Sequence, residues 1–222
     1  MDVQVKSRYT KNEEQANAIS HLTGTLLATV GLVLLLVKSV QLETGWHIVS
    51  SAVFGASMII LYFSSTMTHW LNPGKAKEVF FTLDQIAIFL LIAGTYTPLT
   101  LIALHGPLGW VLFGLEWGLA AIGIIIKLAK PTQFNKGVNL FYILLYAVMG
   151  WMLLIAIVPL FKNVPLMGVM WILIGGLCYT IGIFFYRKAK FKYHHLVWHL
   201  LVIAGTVAHF IGIFFYILPL SW

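Results

Sequence analysis

Charged residues and cysteine are scarce in this chain. Asp, Glu, Lys and Arg make up only 9% of its 222 residues, whereas 60% of the residues are hydrophobic. Such a composition excludes an ordinary water-soluble domain and is typical of an integral membrane protein. The one cysteine, Cys178, lies in an apolar stretch, which excludes both a disulfide framework and a cysteine-based metal site.

Seven hydrophobic runs follow one another along the chain, separated by short stretches with Gly, Pro and charged residues. A run of roughly 17–25 apolar residues is long enough for a helix to cross a membrane. We therefore predict an all-α fold, an integral membrane bundle of seven transmembrane helices. The predicted segments are Ile19–Val37, Ile48–His69, Leu83–Leu104, Leu108–Leu128, Val138–Leu160, Leu166–Tyr186 and His195–Leu218.

The basic residues are distributed unevenly between the two sides of the predicted bundle. The amino-terminal arm and every second connection carry 12 of the 14 Lys and Arg, and only Lys38 and Lys162 fall on the other side. The positive-inside rule then places the amino terminus in the cytoplasm and the carboxy terminus outside. The net charge of +7 is thus a signal of membrane topology, and no nucleic-acid partner is predicted.

The first residues of the chain are polar, which argues against a cleaved signal peptide. We predict that residues 1–18 form a cytoplasmic arm and that residues 19–222 form one transmembrane domain, which crosses the cell membrane several times.

Histidines gather at the cytoplasmic ends of the predicted helices. His195 and His199 are four residues apart, so they share one face of the last segment. His69 closes the second segment at the same end. Since a histidine inside a membrane is costly unless it is paired, this grouping indicates a functional site. Four further polar residues are expected at this end: Asn17, His21, Ser65 and Asp84.

Three neutral imidazoles that leave one coordination position open form a catalytic type of zinc site. The predicted metal ligands are His69, His195 and His199. Asp84 could hold or deprotonate a water bound to the metal. Ser65 lies one helical turn before the ligand of the second segment, where it could orient that ligand or an oxyanion. Asn17 and His21 are predicted to support the ligands from the first segment.

The same residues also allow plainer interpretations. The pair His195 and His199 could make only interhelical hydrogen bonds, and Ser65 could bond to a carbonyl of its own helix. Histidine ligands also suit transition metals other than zinc. His209 lies about 15 Å deeper than His199 along the helix and is therefore excluded as a ligand of the same ion. We expect it to form a hydrogen bond near mid-membrane, for which Glu116 is a candidate partner.

Four stretches of the chain resemble the hemolysin III branch of the progestin and adipoQ receptor family, which includes the adiponectin receptors. They are EEQANAISH, SSTMTHW, DQIAIFLLIAGTYTP and HHLVWHLLVIAGTVAHF. The resemblance implies seven helices with the amino terminus inside, and zinc on the residues that match the family's ligands. Those residues are His69, His195 and His199. It also implies that Asp84 lies near the zinc-bound water, and Ser65 matches a family serine. The chain departs from many bacterial relatives where Gln85 replaces a histidine.

The resemblance further implies a zinc-dependent hydrolase that acts on a lipid amide, as in ceramides, or on an ester, at the cytoplasmic leaflet. A role in membrane-lipid homeostasis and a membrane lipid as substrate or ligand follow from it, and protein partners are left open. One alternative is a zinc-stapled membrane sensor without turnover. Another is a cytolytic pore, which seven strongly apolar helices with few interior charges do not favour.

Overall fold

The computed structural model describes residues 9–42, 45–131, 139–187 and 191–220, and these residues are nearly all helical. Seven of the helices are long and apolar enough to cross a membrane, which confirms the predicted all-α bundle. Their bounds are Lys11–Gln41 (α1), Gly45–Trp70 (α2), Lys75–Ala103 (α3), Pro107–Ala129 (α4), Leu140–Asn163 (α5), Leu166–Arg187 (α6) and His194–Ile217 (α7).

Helix α3 lies at the centre of the bundle. Its apolar stretch is 83% buried inside the protein, whereas the same measure is 28% for α1, α4 and α6. The outer helices expose large apolar side chains, as α1 does with Ile19, Leu26 and Val33. In a membrane these side chains would contact the hydrocarbon chains of the lipids. The exposed apolar surface of the outer helices therefore suits a lipid environment.

Helices α1 and α3 begin earlier than the hydrophobic runs predicted. The first starts at Lys11 and the third at Lys75, because polar residues that form helices well extend each span beyond its apolar part. A capping box fixes the first turn of α1: Thr10 Oγ1 accepts from Glu13 N at 3.4 Å, and Thr10 N donates to Glu13 Oε2 at 3.0 Å. Residues 11–18 of the predicted arm therefore belong to α1.

Several residues on which the predictions drew lie outside the described part of the chain. They are residues 1–8 of the arm, which include Lys6 and Arg8, and Lys136, Val138, Lys188 and Lys190. The orientation of the bundle therefore stays a prediction.

Three of the spanning helices, α3, α5 and α7, change their winding along their length. Helix α3 continues beyond Pro98 as a π-helical turn over Leu99–Ala103. Helix α5 contains a 3-10 turn over Met152–Ala156. Pro159 explains this second change, because a proline lacks the N–H that would bond four residues back and its ring crowds that carbonyl. The buried Tyr96 bridges the break in α5: its hydroxyl accepts from Leu153 N at 2.7 Å and donates to Gly150 O at 3.0 Å.

Candidate metal centre

Three buried imidazoles meet at one end of the bundle. His69 comes from the last turn of α2, and His195 and His199 come from the first two turns of α7. His195 Nε2 lies 3.2 Å from His69 Nε2 and 3.1 Å from His199 Nε2. One ligand atom from each ring lies within 4.8 Å of the others, so these residues could hold a metal ion.

In two of these histidines, His69 and His199, the second ring nitrogen, Nδ1, lies within hydrogen-bond distance of an acceptor. His69 Nδ1 lies 2.6 Å from Glu14 Oε2. His199 Nδ1 lies 3.2 Å from the backbone oxygen of Asn17 and 3.0 Å from Ser20 Oγ. A carboxylate or a carbonyl oxygen only accepts, so each Nδ1 carries the proton and each Nε2 presents a lone pair in the neutral ring.

With the protons in these positions, a cation between the three Nε2 atoms explains their convergence better than hydrogen bonds among the rings do. His195 Nε2 lies between the lone pairs of His69 and His199, and one proton on it can serve only one of them. A cation at the centre satisfies all three lone pairs at once. Donors about 2.0–2.1 Å from a tetrahedral zinc ion are about 3.3 Å apart, which is close to the observed separations. The residues present therefore fit a zinc ion.

Asp84 and Ser65 lie on the wall of the cavity that the histidines reach. The side chain of Ser65 on α2 lies near the carboxyl group of Asp84 on α3. Ser65 and Asp84 thus bring side chains from two helices to the same cavity wall. Asp84 is outside the converging group of ligand atoms. Its position suits a carboxylate that acts beside the metal rather than on it.

The two residues predicted to support the ligands contact His199 in different ways. Asn17 does so through its backbone oxygen, while both polar atoms of its buried amide lack a hydrogen-bond partner among the described residues. The His21 ring stacks on the His199 ring, with centroids 3.5 Å apart and an angle of 11° between the planes. Neither His21 nitrogen has a hydrogen-bond partner among the described residues. His21 thus packs against a ligand ring without bonding to it.

Glu14, Lys77 and Tyr9 belong to the site but were absent from the predicted set. The Glu14 carboxylate accepts a hydrogen bond from His69 Nδ1 and another from Lys77 Nζ at 3.0 Å. The Tyr9 ring stacks on His195 with centroids 4.8 Å apart. A sequence signal for Glu14 existed, since it lies two helical turns before His21 on the same face of α1. It was missed because this part of the chain was taken for a solvated arm.

A cavity of about 150 Å³ extends from the histidines into the bundle. Asp84, Ser65, His69 and His195 line one end, and His209 lines it deeper in the bundle. The intervening walls are largely apolar: Leu91, Ile92, Ile143, Ile183 and Val202. Along α7, the ten residues from His199 to His209 correspond to about 15 Å.

The predicted contact between His209 and Glu116 is wrong. His209 Nε2 donates to the backbone oxygen of Ile172 on α6 at 3.0 Å. Both carboxyl oxygens of Glu116 are buried and have no hydrogen-bond partner among the described residues. The physical reason is helix packing, since α7 lies against α6 while α4 lies against α3.

A family described as Haemolysin-III related matches residues 9–210. The chain belongs to the haemolysin III family. It is 41% identical over 207 residues to Hemolysin-3 of Bacillus cereus, covering 93% of each chain. It is 40% identical over 208 residues to a Hemolysin-3 homolog of Bacillus subtilis (strain 168), covering 94% of this chain and 96% of that protein. The resemblance seen in the sequence is thereby confirmed.

A human relative is more distant. The Monocyte to macrophage differentiation factor of Homo sapiens is 26% identical over 204 residues, covering 89% of this chain and 82% of that protein. The similarity of this haemolysin III protein to its relatives therefore runs along nearly the whole bundle, including every helix that contributes to the candidate metal centre.

Proposed function

We propose that this protein is a zinc-dependent membrane hydrolase that cleaves an amide or ester bond of a lipid. The observation that carries the proposal is the convergence of three Nε2 atoms beside a cavity whose wall includes a carboxylate. His69, His195 and His199 would hold the ion. A bound zinc ion would supply a Lewis acid that polarises the scissile carbonyl and activates water.

The residues on the cavity wall would move the protons. A carboxylate oxygen of Asp84 takes a proton from the attacking water and passes it to the leaving amine or alkoxide. The hydroxyl of Ser65, which lines the same cavity, would hold the Asp84 carboxylate in place. Because Asp84 sits on α3 while the histidines sit on α2 and α7, the base and the metal centre are positioned by different helices.

The cavity supports a lipid as the substrate. Its polar end carries the histidines and Asp84, and its apolar walls continue toward His209. An acyl chain can occupy the apolar part while its amide or ester group stays at the polar end. Burial of the acyl chain would contribute about 0.8 kcal/mol of binding free energy for each methylene group.

The substitution Asp84→Asn tests the catalytic part of the proposal. The amide cannot take a proton, so release of fatty acid should fall by about 10²–10⁴-fold while zinc is retained. The measurement is mass spectrometry of fatty acids released from ceramides, other acyl amides and acyl esters by protein in lipid nanodiscs. Glu78→Gln, on the same helix but away from the cavity, is the control. Wild-type protein that carries one zinc ion and releases no fatty acid from any of these lipids would contradict hydrolysis.

A zinc-stapled sensor without turnover is the second candidate. It is favoured by the contacts of the centre, because His69 and the groups bonded to it join α1, α2, α3 and α7. An Asp84→Asn variant that keeps zinc and full activity in cells would select this function over hydrolysis.

The proposal also places the metal centre toward the cytoplasm, as the distribution of basic residues predicts. In a Cys178→Ala background, a membrane-impermeant thiol reagent should label His105→Cys in intact cells. It should label Lys75→Cys only after the cells are permeabilised. The reverse pattern would place the site on the outer side.

A further inference from the structure

A buried carboxylate links the metal centre to two other helices. Glu14 on α1, His69 on α2 and Lys77 on α3 are 8%, 5% and 3% exposed. One Glu14 oxygen lies 2.6 Å from His69 Nδ1 and the other lies 3.0 Å from Lys77 Nζ. Lys77 Nζ also donates to the backbone oxygen of Leu71 at 3.3 Å. Both carboxylate oxygens thus have a donor of their own.

The neighbours of Glu14 hold it at this point. A charge is buried at a tolerable cost only when it is paired and hydrogen-bonded, and Lys77 supplies the opposite charge. The capping box of Thr10 and Glu13 fixes the turn that carries Glu14. Glu13 Oε1 also accepts from Tyr193 N at 3.0 Å, immediately before α7 begins. The first turn of α1 therefore contacts both helices that carry the histidines.

We propose that Glu14, anchored by Lys77, is a positioning residue of the metal centre and sets its affinity for zinc. The inference rests on the proposed function, because it assumes that the three histidines bind the ion. Glu14 accepts the Nδ1 proton of His69, which keeps Nε2 as the lone pair that faces the other two ligands. A carboxylate in this position also makes the imidazole a stronger ligand.

The variant Glu14→Gln removes the carboxylate that positions His69 while keeping nearly the same side-chain size and shape. Its single amide oxygen can accept from His69 or from Lys77, so the amide NH₂ group faces a donor at the other contact. Zinc affinity should fall by about 10–100-fold, the usual effect of losing such a partner. The measurement is competition for zinc with a chelator series, using purified full-length protein in nanodiscs.

A second measurement separates positioning from general destabilisation. The melting temperature is recorded with the metal stripped and after zinc is added. A purely structural role of Glu14 lowers both temperatures equally, whereas a positioning role reduces the rise that zinc produces, because the bound state loses free energy. Glu78→Gln on α3 is the control: it removes a carboxylate charge next to Lys77 in the sequence, and Glu78 does not line the cavity. It should keep wild-type zinc affinity.

The outcomes distinguish this inference from the proposed function. If wild-type protein binds no zinc, the metal centre itself is wrong. If wild type binds zinc and Glu14→Gln has the same affinity and the same zinc-dependent rise, only the role of Glu14 is overturned. Should Glu14→Gln fail to fold, Lys77→Met provides the test. It retains the bond to His69 but releases the anchor, so it should weaken zinc binding several-fold, and an unchanged affinity would count against the proposal.

Discussion

At the scale of single residues, each membrane-embedded histidine has a different set of partners. His69 and His199 direct Nδ1 to an acceptor and Nε2 to the centre of the site. His209 lies deeper, where Nε2 bonds a backbone carbonyl of α6. His21 has no bonding partner among the described residues and is held by stacking. Only the three that converge, including His195, have geometry suited to a shared ion.

The packing around His209 gives a prediction at this scale. A Cβ atom at Gly175 would overlap the His209 ring and approach the backbone oxygen of Gly205 to 2.9 Å. The ring cannot move aside without losing its bond to Ile172 O. Gly175→Ala should therefore destabilise the protein by about 1–3 kcal/mol through overpacking. The check is the melting temperature of the purified protein.

The neighbouring glycine provides the control for this prediction. A Cβ atom at Gly176 would lie 3.8 Å from the Trp151 ring, which is an ordinary contact distance. Gly176→Ala should leave the melting temperature nearly unchanged. Equal effects of Gly175→Ala and Gly176→Ala would show that close packing on His209 is not the cause.

The predictability of the site also differs from residue to residue. The spacing of His195 and His199, with His69 at a helix end, pointed to the three converging rings because periodicity places residues on faces. The same logic failed for His209 and Glu116, since depth in the membrane does not tell which helices are neighbours. The role of Glu14 required knowing that α1 continues past the apolar run. Its spacing from His21 places Glu14 on the same helix face, but that spacing does not reveal the contacts with His69 and Lys77.

At the scale of helices, the described structure departs from simple apolar spans at helix ends and at prolines. The polar beginnings of α1 and α3 carry Glu14 and Lys77, so the extensions that hydropathy misses are the parts that reach the site. Pro98 precedes a π-helical turn in α3, and Pro159 follows a 3-10 turn in α5. The seven spans were predictable from hydrophobic length alone, whereas the type of helical turn beside each proline was not.

The break in α5 gives a prediction for an element. Tyr96→Phe removes the acceptor of the buried Leu153 N–H and the donor to Gly150 O. An unpaired buried backbone N–H costs about 1–3 kcal/mol, so the variant should lower the melting temperature. Tyr142→Phe is the control, because its ring packs against Lys127 and the phenylalanine keeps that contact. Similar melting temperatures for Tyr96→Phe and wild type would show that the hydroxyl does not support the break.

At the scale of the whole molecule, the candidate site exists only in the assembled bundle. Its ligands come from α2 and α7, its supporting carboxylate from α1 and its candidate base from α3. The central helix α3 carries Asp84 at the cavity wall, so the most buried helix also presents the proposed base. Composition and family pattern predict this class of protein, but only the packing of distant segments shows that one ion can contact all three histidines.

The most direct test of a shared three-histidine centre is a metal analysis of purified wild-type protein beside His69→Ala and His195→Ala. We predict about one zinc ion per wild-type chain and loss of zinc in both variants, because each removes one of three ligands from a single site. Folding of the variants is checked by gel filtration, and His105→Ala, exposed at the opposite end of the bundle, should keep its zinc. Wild-type protein without zinc, or full zinc content in either variant, would contradict a shared three-histidine centre.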